Sequence, residues 1–142
     1  MKYYVNELSD FEKNEIVNYN EIYYVGINAR KICGWNNRDY DDEDGFYREI
    51  ICDQICYRYE ICERLGKGSF GIVIRCYDHK YHEYVALKII RRKKSFRKQS
   101  LVEISMLNHF NELNHPLKSF VVQMKDYFTF RSHICITFQL LG

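Results

Sequence analysis

Six residues between two strand-like runs constrain this chain more than any other feature: Gly66-Lys67-Gly68-Ser69-Phe70-Gly71. Before them, Tyr57, Tyr59, Ile61 and Leu65 fall on odd positions among mostly polar neighbours, the period-two pattern of a half-buried strand. After them, Ile72-Val73-Ile74 restores an apolar, β-branched run. Three glycines between such runs demand a tight reversal of the chain. The continuation into Val73 completes G-x-G-x-x-G-x-V, in which absent side chains let backbone amides approach phosphate oxygens. A plain hairpin whose glycines only relieve turn strain fits the same letters. A dinucleotide-binding turn does not, because a strand follows the glycines and leaves no helix N-terminus for a pyrophosphate.

Two further elements lie downstream in order. Val85-Ala86-Leu87-Lys88 places a lysine on an otherwise apolar strand read over Tyr84 to Ile90, where a cation needs an anionic partner or must reach water along its stem. Residues 95–110 then switch to helical spacing, with Leu101, Ile104 and Leu107 alongside Val102 and Phe110. Glu103 is the only acid between Glu83 and Glu112 and sits among those apolar residues. Such a glutamate either faces solvent or turns inward to pair with Lys88, and its neighbours favour the second.

The remaining stretches fill in the architecture. Tyr127 to Leu141 alternates about the turn signal Arg131-Ser132, a final hairpin. The sum is an α+β unit: a five-stranded antiparallel sheet with one helix inserted after the third strand. Upstream, Ser9-Asp10-Phe11-Glu12 has the form of a capping box and starts a short helix. The polar segment over residues 34–46 reads as an exposed loop. With 46% apolar and 16% aromatic residues and one proline in 142, the chain is a folding one. Its six cysteines are scattered without zinc spacing, so they are expected reduced and no metal site is expected. Charge divides sharply: residues 1–60 hold 13 acids and 7 Lys/Arg, residues 61–142 hold 6 and 14. A basic second part suits a phosphorylated ligand, or packing on the acidic first part. The run 88–98 carries seven cations. It lacks interleaved aromatics, which argues against nucleic acid and leaves a solvated face or a phosphate-binding one.

From Tyr57 to Gly142 the sequence resembles the N-terminal lobe of a eukaryotic protein kinase, on the glycine loop, Val85-Ala86-Leu87-Lys88 and Glu103. With LSDFEKNEIVNYNEIYYVGINARKI, YDDEDGFY, ICYRYEICERLGKGSFG and HICITFQLLG, nearly the whole chain is similar to the dual-specificity tyrosine-phosphorylation-regulated kinases, class II branch. The resemblance implies an accessory region over 1–56, which in the family packs on the lobe and assists tyrosine autophosphorylation, and a kinase N-lobe over 57–142. Cys52 to Glu60 resembles the family's DH box, with Gln54 where the family usually has histidine. It further implies an ATP site in which Gly66, Lys67, Gly68, Ser69, Phe70 and Gly71 cover the phosphates. Leu65, Val73 and Ala86 would sandwich adenine, Phe138 would be the gatekeeper, and Gln139 and Leu141 would offer hinge backbone groups. Lys88 would hold the α- and β-phosphates and Glu103 would fix Lys88. Leu107 and Met124 would continue the apolar column behind Glu103.

No His-Arg-Asp or Asp-Phe-Gly occurs in the 142 residues, and Tyr57-Arg58-Tyr59 opens the first strand instead of lying in an activation loop. The C-lobe is therefore expected to lie outside this sequence, together with the Mg2+ ligands, and the fragment alone is expected not to transfer phosphate. Two readings follow. One is the ATP-binding part of a dual-specificity kinase that phosphorylates protein substrates; the other is a non-catalytic ATP-binding or partner-binding module. With no apolar run of about 20 residues and acids near the start, the protein is expected to be intracellular, cytoplasmic or nuclear, and not bound to membrane.

Overall fold

A computed structural model describes residues 7–112 and 124–140, with residues 107–112 described by their backbone alone. Its strands are β1 Gln54–Ile55, β2 Tyr59–Gly68, β3 Gly71–Asp78, β4 Glu83–Ile90, β5 Met124–Phe130 and β6 His133–Gln139. They form one antiparallel sheet in the order β1-β2-β3-β4-β6-β5. The five expected strands are present and a sixth is added. Gln54 and Ile55 pair with Glu60 and Tyr59, a strand of two residues that is too short to show any periodicity. Helices α1 Asp10–Glu15 and α2 Lys94–Glu112 complete the fold.

Register assigns the side chains to faces. Cα partners across an antiparallel ladder share a face, as do alternate residues of one strand. Ile74, Leu87 and Thr137 are partners and fully buried; Val73, Lys88 and Ile136 are partners on the opposite side. On the first side, Ile72, Ile74, Cys76, Val85, Leu87 and Ile89 join a core with Leu8, Ile16, Val25, Tyr40, Phe46 and Tyr47 of the upstream segment. On the second, a smaller cluster of Ile90, Ile104, Met124, Ile134 and Ile136 seats α2.

Ser9 caps α1 in a full capping box: its hydroxyl accepts from the Glu12 amide at 3.2 Å and the Glu12 carboxylate from the Ser9 amide at 3.0 Å. Residues 34–46 are not simply an exposed loop. A 3-10 turn over Asn37–Tyr40, capped by Asn36, and a bridge between Asp41 and Tyr47 fix the segment. Tyr40 and Phe46 within it, and Tyr47 beside it, are buried anchors among polar residues. The β5–β6 reversal does lie at Arg131 and Ser132, both with positive φ (49° and 68°), the backbone of a two-residue primed turn. All six cysteines are free; Cys76 and Cys135 are buried and Cys33 is exposed. Among the described residues, no helix is long and apolar enough to cross a membrane.

Candidate nucleotide site

The half-open face of the sheet collects the residues that the sequence singles out. Lys88 is the Cα partner of Val73 and Ile136, and Ala86 of Arg75 and Phe138. Val73, Ala86 and Phe138 are half-buried, Gln139 is exposed, and Leu65 at the rim is 48% exposed. An apolar wall therefore stands open beside a lysine. Leu141 lies outside the described residues.

Lys88 Nζ donates to Glu103 Oε2 at 3.3 Å, so the inward orientation expected for Glu103 is the one observed. Both side chains keep partial access to water. The Phe70 ring lies 4.8 Å from the Lys88 ammonium. Helix α2 meets the sheet through Phe96, Ser100 and Ile104, spaced by four residues. Leu101 and Val102 are exposed, contrary to the apolar stripe read over 95–110, because the sheet-facing row runs through 96, 100 and 104. Met124 is buried behind that row, as expected, whereas the Leu107 side chain lies outside the described residues.

The three glycines differ in what the chain itself requires of them. Gly71 has φ +149°, and a Cβ there would lie 2.1 Å from the Ile89 carbonyl oxygen, so only glycine fits. Close by, the Arg91 amide donates to the Phe70 carbonyl at 2.7 Å, tying the loop tip to the end of β4. A Cβ on Gly68 would meet the Phe70 ring at 2.6 Å. A Cβ on Gly66 would meet nothing within 4 Å. The fold itself leaves that space open. Ser69 at the tip is exposed, and Lys67 turns the other way, its ammonium over the Phe46 ring at 4.2 Å. Lys67 can thus serve this face through its backbone only.

Sequence reasoning missed the groups that hold the other face. Arg131, read only as a turn residue, has its guanidinium 1% exposed. It pairs with Glu15 at 2.9 Å and Glu12 at 3.5 Å, donates to the Tyr47 hydroxyl at 3.1 Å and stacks on Tyr40 at 3.8 Å. Burial pushes its pKa down, but Tyr47 and Glu15 outweigh that and hold the guanidinium charged. Gln54, in the DH-box-like stretch, is fully buried and satisfied: its amide donates to Glu12 Oε2 at 2.7 Å and its oxygen accepts from the Tyr57 amide at 2.7 Å. Asp53 of the same stretch lies 3.3 Å from Lys31, which also binds Glu12 at 2.7 Å. Burial raises Asp53, with Lys31 opposing; for Glu12 burial also acts upward, yet Lys31, the Ser9 amide and Gln54 together hold its carboxyl below the ordinary value. Tyr57, at the start of Tyr57-Arg58-Tyr59, is buried and donates to Glu15 at 2.7 Å. The signal for this network was present only as an acidic, aromatic upstream segment.

A glycine hairpin over a sheet, with a strand lysine paired to a helix glutamate, is the arrangement of a protein kinase N-lobe. Residues 59–142, more than half of the chain, match the protein kinase domain, and the chain belongs to that family. Over its length it is 47% identical to a putative dual specificity tyrosine-phosphorylation-regulated kinase 3 homolog of Drosophila melanogaster (98% of this chain, 17% of that protein). It is 46% identical to dual specificity tyrosine-phosphorylation-regulated kinase 4 of Homo sapiens (100% and 28%), and 47% identical to the human kinase 3 (100% and 25%). The chain thus spans between about a sixth and less than a third of the length of these relatives.

Proposed function

We propose that this chain is the ATP-gripping part of a dual-specificity protein kinase, with residues 1–56 as an accessory region braced against an N-lobe over 57–142. The observation that carries the reading is the Lys88–Glu103 pair, 3.3 Å apart beside a glycine hairpin whose Gly66 faces empty space. Lys88 holds the α- and β-phosphates, Glu103 positions Lys88, and the backbone amides of 66–71 receive phosphate oxygens. Leu65, Val73 and Ala86 bracket the adenine, with Phe138 behind it and the backbone of Gln139 at its edge. ATP supplies the phosphoryl group, which the whole enzyme passes to serine or threonine hydroxyls of protein substrates and to its own tyrosine. We assign the Mg2+ ligands to a second lobe. We place the protein inside the cell, where ATP and protein substrates are available.

Titration of the chain with a fluorescent ATP analogue tests the reading. Lys88→Met is expected to weaken binding by about tenfold or more, the worth of a charge-assisted bond to phosphate. Glu103→Gln is expected to weaken it less, since the lysine stays but is no longer fixed. Equal affinity in both variants and the parent overturns the site.

A further inference from the structure

Behind the nucleotide site, where β4 ends and α2 begins, a cavity of about 240 Å³ is lined by Ile90, Ile134, Ser132 and the five Lys and Arg side chains of residues 91–97. Five cations from a strand end, a connection and a helix meet there, with a hydroxyl from the β5–β6 turn. Their charges are unequally answered. Arg92 is held by Asp41 at 2.7 Å and donates to the Arg131 carbonyl at 2.9 Å; Arg91 donates to the Asp44 carbonyl at 2.6 Å and lies over Phe46 at 4.6 Å. These contacts fix both guanidinium groups and leave donors over. Among the described residues, Lys93, Lys94 and Arg97 have no acidic partner at all.

The local backbone adds to the same field. The amides of Phe96 and Arg97 turn back to the Lys93 carbonyl at 3.1 and 3.0 Å, so Lys93 occupies the capping position of α2. A lysine side chain has no acceptor for the free amides of a first turn, and no residue of that turn is acidic. Cations at a helix start oppose the helix dipole. Placing three there without an anion costs stability that a bound anion restores. The Ser132 hydroxyl accepts from Asn37 Nδ2 at 3.0 Å and keeps its own proton to donate.

We propose that this cavity binds a phosphate dianion, free or as a monoester, and that its occupancy stabilises the start of α2, the helix that carries Glu103. The cavity takes one compact anion. An extended polyanion would need a stripe of cations with stacking aromatics, and the described cations line one hollow instead. The dianion can come from a phosphorylated polypeptide, as a phosphomonoester, or from free phosphate. The anion site needs no nucleotide and stands apart from the ATP reading.

The test is a titration of the 142-residue chain at constant ionic strength with inorganic phosphate, with an acetyl-Gly-phosphoserine-Gly amide and with its unphosphorylated form, read by amide chemical shifts over 94–98. Saturable shifts with both phosphates, none with the unphosphorylated peptide, and slowed amide exchange in α2 are expected. Arg97→Ala and Lys94→Ala, both at exposed positions, should each weaken binding by about tenfold. Lys125→Ala, which removes a distant pair with Glu83, should leave it unchanged. Tighter binding of the phosphopeptide assigns the source to a polypeptide; equal binding assigns it to free phosphate. The proposal is overturned by non-saturating shifts that sodium chloride reproduces, by unchanged affinity in Arg97→Ala, or by a single-stranded RNA that displaces the phosphopeptide at lower concentration.

Discussion

One sheet presents two faces that solve different problems. The side covered by residues 7–58 is dry: Leu87, Ile74 and Ile89 are buried against the aromatic anchors of the upstream segment, and the charges within it are paired. The other side holds a small cluster under α2 and leaves Val73, Ala86, Lys88 and Phe138 accessible. Adjacent positions on one strand, Leu87 and Lys88, therefore belong to separate tasks. Each fully buried aliphatic side chain on the dry face contributes about 1.5–3 kcal/mol. The open face keeps a charge and an apolar wall accessible from outside. Stability concentrated on one side permits the other to remain unfinished.

Breaking the dry face should give the largest effect. Arg131→Ala strands Glu12 and Glu15 without their shared cation inside the protein, and the expected loss is about 3–5 kcal/mol, read as a fall in the urea midpoint. That is much of the stability of a small domain. A midpoint unchanged by this substitution would mean that the upstream segment is not part of the cooperative unit. Gln54→Ala should follow at about 1–3 kcal/mol, because it leaves the Tyr57 amide and Glu12 each short of a buried partner. Gln54 thus satisfies two buried partners at once.

A smaller effect is a pH dependence confined to the same face. The Glu12 carboxyl is held below its ordinary 4.5, so the unfolded chain takes up its proton first as pH falls. Its contribution is fully present above about pH 4.5 and is lost on acidification through the depressed native value. Asp53, raised from its ordinary 3.8, acts with the opposite sign: it favours the folded state as it becomes protonated and so offsets part of that loss. Glu12→Gln should flatten the acid limb of a stability-versus-pH curve. An unchanged limb would place the acid sensitivity elsewhere.

The open face was the more legible one in the sequence. Period-two runs, three glycines, a lysine on a strand and a lone glutamate on a helix are local patterns, and the structure brings them to one side of one sheet. The dry face depends on pairings across long separations: Arg131 with Glu12 and Glu15, His133 with Asp41, Ile55 with Tyr59 on a strand of two residues. A buried arginine is rare enough that its sequence position suggests only a turn. Polar density over 34–46 likewise concealed Tyr40 and Phe46, since two anchors in a charged loop make no period. On α2, the apolar letters Leu101 and Val102 drew the stripe one step off, because Ser100 serves as a small residue at the sheet contact and its hydroxyl is satisfied by the Phe96 carbonyl at 2.8 Å.

The sharpest division between the faces comes from the smallest change in stability. Gly71 is glycine for the fold, since a Cβ would collide with the β4 backbone, and Gly71→Ala should destabilise the hairpin whether or not nucleotide is present. Gly66 has open space around its missing Cβ and no positive φ. Gly66→Ala should therefore shift stability by no more than about 0.5–1 kcal/mol, toward greater stability, because alanine gives up less chain entropy on folding. If a phosphate-bearing ligand is what needs that space, the same variant should bind the fluorescent ATP analogue about tenfold more weakly while melting no lower than the parent. Weaker binding with a lowered melting temperature would tie Gly66 to the fold, and unaltered binding would remove the loop's approach to phosphate as the reason for its glycine.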